Sequence, residues 1–245
     1  MRRCVIIAII ILVILLNDII KVQKIAKQTI KYIKTQIYPG QSLAEIRALC
    51  ENKMKALGAD SFWYYNIGAF VFSGRDTTVS ISGRKYKTPP SMIQDNDIIT
   101  IDLSPQRQHV WGDYARTIIV ENGNTIDSID DVKNTEWKDG LEFEIMLHKA
   151  LFDIIDNHTT FEDLYFHMNT LIEKNGYINL DFNKNLGHTI NRYMFQRHYI
   201  EKGNRKRISS ADYFTFEPHI CIPNSEYGFK REDIYIFNNG KLKRI

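Results

Sequence analysis

Two aspartates stand where acids are uncommon. Asp102 interrupts the apolar run IITIDLS (98–104), and eleven residues later Asp113 opens the run WGDYARTIIV. Only the short stretch SPQRQHV separates them, so the two runs read as adjacent antiparallel strands that set both carboxylates side by side. Two such anions removed from water need protons or a cation. Three more stretches set such groups beside apolar residues rather than in solvated runs: His188 in LGH, Glu217 in FTFEPHI, and Glu232 with Asp233 in REDI. Taken singly, each has an ordinary reading as a turn acid or a satisfied core histidine. Other chemistries find no residues here. There is no GxGxxG, Walker loop, GxSxG or HExxH, and Cys4, Cys50 and Cys221 form neither a CxxC pair nor a nucleophile motif.

The elements that must hold these residues follow from periodicity. Ser42 and Glu45 form a capping box ahead of a helix whose face is Leu43, Ile46, Leu49, Cys50, Met54 and Leu57, closed by Gly58. Strand signals follow at 61–66, 69–72, 77–82, 98–104 and 115–120. Helical spacing returns at 135–156 (Leu141, Ile145, Leu147, Leu151, Ile154) and 160–174 (Phe161, Leu164, Met168, Leu171). Strands resume at 177–182, 213–222 and 232–237. Helices then strands, twice over, predict an α+β fold with helices covering an antiparallel sheet, in one domain from about residue 20 to 245.

Charge is unevenly spread. The net +3 divides into +6 over residues 1–40 and +3 over 229–245, leaving −6 for the body. An acidic body with basic ends argues against nucleic acid as a partner. Residues 1–20 read as an apolar leader or anchor. The unbroken run Cys4–Leu16 is thirteen residues, short of the roughly 20 that span a bilayer. An uncleaved anchor touching a membrane through residues 4–20, a cleaved signal and a buried N-terminal helix all remain open, and localisation is accordingly cytoplasmic or membrane-associated. Over 21–37, Val22, Ile25, Ala26, Ile30, Ile33 and Ile37 oppose a stripe of five lysines, which reads as a helix covering the domain or lying on anionic lipid.

In order and spacing, ITIDLS, GDYART, LGH, FTFEPHI and REDI resemble the metal-site motifs of the pita-bread metallopeptidases, the family of methionyl aminopeptidase, aminopeptidase P, prolidase and creatinase. The resemblance covers roughly residues 22 to 245. It implies a pita-bread fold of two pseudo-symmetric halves over 21–245 and two divalent ions (Mn, Co, Fe or Zn). By the same resemblance Asp102 would chelate one ion, His188 and Glu217 would bind the other, and Asp113 and Glu232 would bridge both. The family motif of Arg, a hydrophobic residue and Glu selects Glu232 over Asp233, although the hydrophobic position is missing here. Four carboxylates would balance two dications, a hard donor set unlike a structural zinc site. The implied activity is that of an aminopeptidase removing N-terminal residues from peptides through a metal-bridged hydroxide, with Glu217 moving the proton.

The sequence departs from the family in its outer histidines. Residues 60–101 contain none, with Ser80 and Ser82 in the nearest stretch. Two helical turns past His188 the chain reads Tyr193-Met194-Phe195, and His198 comes slightly late. His219, two residues past Glu217 and so on the same strand face, is the other candidate for substrate contact. These departures keep a second expectation alive: a metal-binding, catalytically silent domain that recognises a peptide or a partner protein.

Overall fold

The computed structural model describes residues 2–238 and 240–245, with side chains from Asp18 onward except Asn238 and Asn239. Its first helix, α1, runs Arg2–Ile33 without a break. Val22, Ile25, Ala26, Ile30 and Ile33 on α1, and Ile37 beyond it, are all buried, whereas Lys21, Lys24 and Lys31 are exposed. The amphipathic stretch therefore covers the domain. Among residues with described side chains, no helix is long and apolar enough to cross a membrane. The apolar run Cys4–Leu16 lies outside those residues.

Helix α2 (Leu43–Ala56) begins at the predicted capping box. The Glu45 amide donates to the Ser42 hydroxyl, and the Ser42 amide donates to the Glu45 carboxylate. It buries Leu43, Ile46, Cys50 and Met54 in one core with α1. The strands of this half are β1 (Ser61–Phe62), β2 (Ala69–Ser73), β3 (Asp97–Leu103), β4 (Pro105–Arg107), β5 (Val110–Trp111), β6 (Tyr114–Glu121) and β7 (Asn124–Thr125). The four-stranded sheet β2-β3-β6-β7 is antiparallel and carries the apolar side chains of that core.

The second half repeats the plan with α3 (Thr135–Ile154) and α4 (Phe161–Lys174). Its strands are β8 (Ile178–Asn179), β9 (Phe214–Phe216), β10 (His219–Cys221), β11 (Gly228–Lys230), β12 (Asp233–Asn238) and β13 (Lys241–Arg244), paired as β11-β10-β8 and β13-β12-β9. The two helices pack Trp137, Phe143, Leu147, Leu151, Phe161, Leu164, Met168 and Ile172 into a second core with Phe214, Phe216 and Tyr235. The halves join along β6. There the Thr117 hydroxyl bonds the backbone of Lys230 in both directions, and the Glu232 amide donates to the Ala115 carbonyl.

Four predicted strands differ. The run 213–222 breaks at Glu217-Pro218 into β9 and β10, which belong to different sheets, so Glu217 and His219 do not share one strand. Residues 77–82 form no strand: Gly74–Thr78 is a 3-10 turn, and 80–82 run open and exposed. Thr77 is pinned instead by its carbonyl, which accepts from His219, and by its hydroxyl, which accepts from the Gly228 amide. At 61–66 the ladder stops after Phe62, because Tyr65 and Asn66 take positive φ (53° and 60°) and turn the chain. At 177–182 only Ile178 and Asn179 pair. In α3 the buried stripe also differs from the predicted one. Leu141, Ile145 and Ile154 are half-buried, and Glu144 and His148 point inward with Phe143 and Leu147.

Candidate metal centre

The register of β3 against β6 sets Asp102 opposite Ala115, so Asp113, two residues before Ala115, lies diagonally across on the same face. Helix α1 fixes that end of β6. Buried Gln23 accepts from the Asp113 amide at 3.0 Å and donates to the Asp113 carbonyl at 2.7 Å. Glu232 enters just before β12, held by its amide on Ala115. Carboxylate oxygens of Asp102, Asp113 and Glu232 thereby come within 4.8 Å of one another.

His188 and Glu217 come from the second half. Gly187 (φ 133°) lets the chain press against β9, where a Cβ would lie 2.4 Å from the Thr215 carbonyl oxygen. The His188 amide then donates to the Thr215 hydroxyl, and the Glu217 amide donates to the Leu186 carbonyl. His188 Nε2 lies 3.5 Å from Asp113 Oδ2 and 4.0 Å from Glu217 Oε1. Its Nδ1 is 3.1 Å from the Thr189 carbonyl, which can only accept, so Nδ1 carries the proton of the neutral ring. Burial first, and the Arg197 charge second, lower its pKa to about 3. A lone pair at Nε2 therefore faces two carboxylates, an arrangement that fits a cation between them.

The carboxyl groups carry the same sign. Burial, and then Asp102 and Glu217, push Asp113 well above the usual range. Burial, and then its three acidic neighbours, do the same to Glu232. Glu217 is raised to about 7, again chiefly by burial. Glu232 is fully buried, and neither of its oxygens has a hydrogen-bond partner among the described residues. Orphaned carboxylate oxygens beside two further acids and an imidazole are a donor set for hard divalent ions, and these residues fit such a group.

Lys230 also belongs to the site, although no motif of the sequence marks it. Lys230 donates from Nζ to Asp102 Oδ2 at 2.5 Å and lies 3.3 Å from Glu217 Oε2. Burial opposes its charge, but Asp102, Glu217 and Glu232 outweigh that and hold the ammonium firmly protonated. Lys230 closes β11, and Glu232 follows two residues later outside any strand.

The histidine candidates part company. His219 lines the same cavity of about 550 Å³, with Nε2 2.7 Å from the Thr77 carbonyl, and burial lowers its pKa to about 4. His198 does not reach it. Its neighbours Arg197 and Tyr199 line the cavity, so alternation turns His198 outward, where Nε2 meets Lys206 Nζ at 2.8 Å. Trp63 and Tyr64, unassigned from sequence, form an aromatic wall. Trp63 stacks on Trp111 and meets the His188 ring edge-on at 5.5 Å.

Directly behind the cluster, Asp233 faces the other way. It takes Arg116 at 2.7 Å, Arg231 at 3.5 Å and Arg244 at 3.8 Å, with His148 at 3.7 Å. Burial opposes its charge, yet Arg116 and its neighbours outweigh that and draw the pKa below the usual carboxylate value.

The sequence profile of metallopeptidase family M24 matches residues 17–239. The chain belongs to that family. Solved structures share the fold of this M24 member. An X-Pro aminopeptidase from Thermotoga maritima superposes with a TM-score of 0.77 at 18% identity, over 94% of this chain and 60% of that one. A prolidase from Pyrococcus horikoshii gives 0.76 at 23%, over 92% and 60%. A methionine aminopeptidase from Thermotoga maritima gives 0.70 at 14%, over 91% and 93%. The M24 chain thus spans about 60% of the first two and nearly all of the third. No curated protein sequence matches it. The fold is the pita-bread fold of M24, α+β as the element order predicts, and its acidic cluster is Asp102, Asp113 and Glu232.

Proposed function

We propose that the cavity holds two divalent ions and that the chain is a peptide hydrolase, most simply an aminopeptidase acting on short peptides. The observation carrying this reading is the convergence of Asp102, Asp113 and Glu232 to within 4.8 Å, with His188 and Glu217 beside them. Asp102 would serve one ion and His188 with Glu217 the other, with Asp113 and Glu232 shared. Ions held there would supply Lewis acidity at a scissile carbonyl and acidify water near neutral pH.

The chain's own residues do the rest. Glu217, beside His188 in the cavity wall, would take a proton and return it to a leaving amine. His219 keeps Nε2–H on the Thr77 carbonyl, so Nδ1 is left as an acceptor that can orient a donor group of the substrate. Lys230 holds Asp102 and Glu217 in place and adds a fixed positive charge to a site rich in acids.

A second reading, a metal-binding domain without turnover, is favoured by one observation. The cavity wall at 79–82 offers serines rather than histidine, and His198 is turned away. Metal content of the purified chain, followed by a panel of fluorogenic aminoacyl and Xaa-Pro substrates with Mn, Co, Fe and Zn, separates the two. Two ions per chain with turnover abolished in Glu217→Gln supports the hydrolase. Bound metal without turnover supports the silent domain, and absence of metal sinks both.

A further inference from the structure

We propose that a second cavity, behind the acidic cluster, is a binding site for a small oxyanion. The proposal does not depend on the peptidase reading. The cavity has a volume of about 160 Å³ and lies where the two halves meet. Arg116 enters it from β6, Glu144 from α3 and Arg231 from just past β11, and Lys34, partly exposed beyond α1, completes the wall.

Glu144 is what marks the cavity as a site. It is 2% exposed, and neither of its carboxyl oxygens has a hydrogen-bond partner among the described residues. A buried polar group in that position needs a partner within the cavity it faces. One bridging water requires only about 10–15 Å³, far less than the space that Glu144 lines.

The surrounding charges select the ligand. Asp233 shares its single negative charge among Arg116, Arg231 and Arg244, so three guanidiniums against one carboxylate leave two positive charges unbalanced. Arg231 Nε makes no hydrogen bond among the described residues. Lys34 adds a further cation, paired at 2.7 Å with the exposed Asp127. Burial holds the Glu144 carboxyl toward its neutral form against the pull of Arg231 and Arg116. A neutral carboxyl donates, guanidiniums donate, and an oxyanion accepts from both. A cation would meet like charges there, and an apolar guest would leave Glu144 unbonded.

The test uses the full chain treated with chelator, so that added anions find no bound metal, with inorganic phosphate, sulfate and acetate as probes. At least one should bind at one per chain by calorimetry and raise Tm saturably, whereas sodium chloride at matched ionic strength should not. Which probe binds tells a tetrahedral oxyanion from a carboxylate. Leu141→Trp fills the cavity without altering its charge and should abolish binding. Lys34→Met, which leaves the Asp233 network untouched, should weaken binding by about tenfold. Glu144→Leu should cost about as much, while Glu144→Gln, which keeps an uncharged donor, should stay within a few-fold of the wild type. The proposal is overturned if none of the three probes binds saturably. Binding that survives Leu141→Trp, or that is unchanged in both Lys34→Met and Glu144→Leu, places the anion elsewhere and overturns it equally.

Discussion

Glu232 and Asp233 are neighbours in sequence, both fully buried, yet they live in opposite electrostatic worlds. Asp233 is surrounded by three guanidiniums and is held ionised. Glu232 is surrounded by Asp102, Asp113 and Glu217, its carboxylate has no hydrogen-bond partner among the described residues, and it is pushed toward its neutral form. Alternation sends the two side chains to opposite faces. A single dipeptide thus carries an acid with cationic partners, the finished side, and one without, the unfinished side, although Asp233 Oδ2 and Arg231 Nε still lack a hydrogen bond among the described residues. A buried acid that already has its counter-ions holds structure together. One without them is waiting for a ligand.

The largest expected effect lies on the finished side. Asp233→Asn strips Arg116 and Arg231 of their buried partner and should destabilise the chain by about 3–5 kcal/mol, measured by denaturant unfolding with and without added metal. Glu232→Gln should behave in the reverse sense. The metal-free chain should unfold at the same denaturant concentration or a higher one, while metal affinity in chelator competition should fall by more than the roughly 10–100-fold typical of outer partners. A Glu232→Gln chain that loses stability without losing metal would break the contrast.

Among the described residues, Lys230 is the one lysine or arginine that meets the acids of the unfinished side. Lys230→Met should destabilise the metal-free chain by about 1–3 kcal/mol, and added Mn should then raise Tm by more than it does in the wild type. The smallest effect is a pH signature. Glu217 has a folded pKa of about 7 against an ordinary 4.5, so folding favours its protonated form. Its contribution is fully present below about 4.5 and is lost as pH rises through about 7. The stability difference between metal-free wild type and Glu217→Gln should fall across that window and flatten above pH 8. A saturating divalent ion should remove the slope, and a difference that rises with pH would refute the assignment.

Much of this was legible because it is local. The capping box at Ser42 and Glu45, the apolar stripe of α1 and the runs around Asp102 and Asp113 are periodic signals within one element, and the fold keeps them. Five acids and imidazoles at apolar positions could be read off the chain, and the fold gathers all five. What was not legible depends on partners far away in sequence. Thr77 reads as strand, but its carbonyl and hydroxyl are taken by His219 and Gly228. Glu144 and His148 read as the solvent side of α3, yet they face inward, where His148 bonds Tyr235 and the Arg231 carbonyl. Arg197 reads as a solvated arginine, yet its guanidinium sits among the distant Trp63 and Tyr64 as well as the nearby Tyr199.

The way the backbone is tied has a further consequence. Asp113 is gripped through its amide and carbonyl by Gln23, Glu217 through its amide by Leu186, Glu232 through its amide by Ala115, and His188 through its amide by Thr215. None of these ties uses the side chain that faces the cavity. The frame is therefore a socket board whose pins can be exchanged one at a time. Ligand swaps at these four positions should leave the chain trace intact, which makes the protein a ready host for redesigned metal preference. The same independence means that a relative could lose its chemistry one pin at a time and still keep its shape.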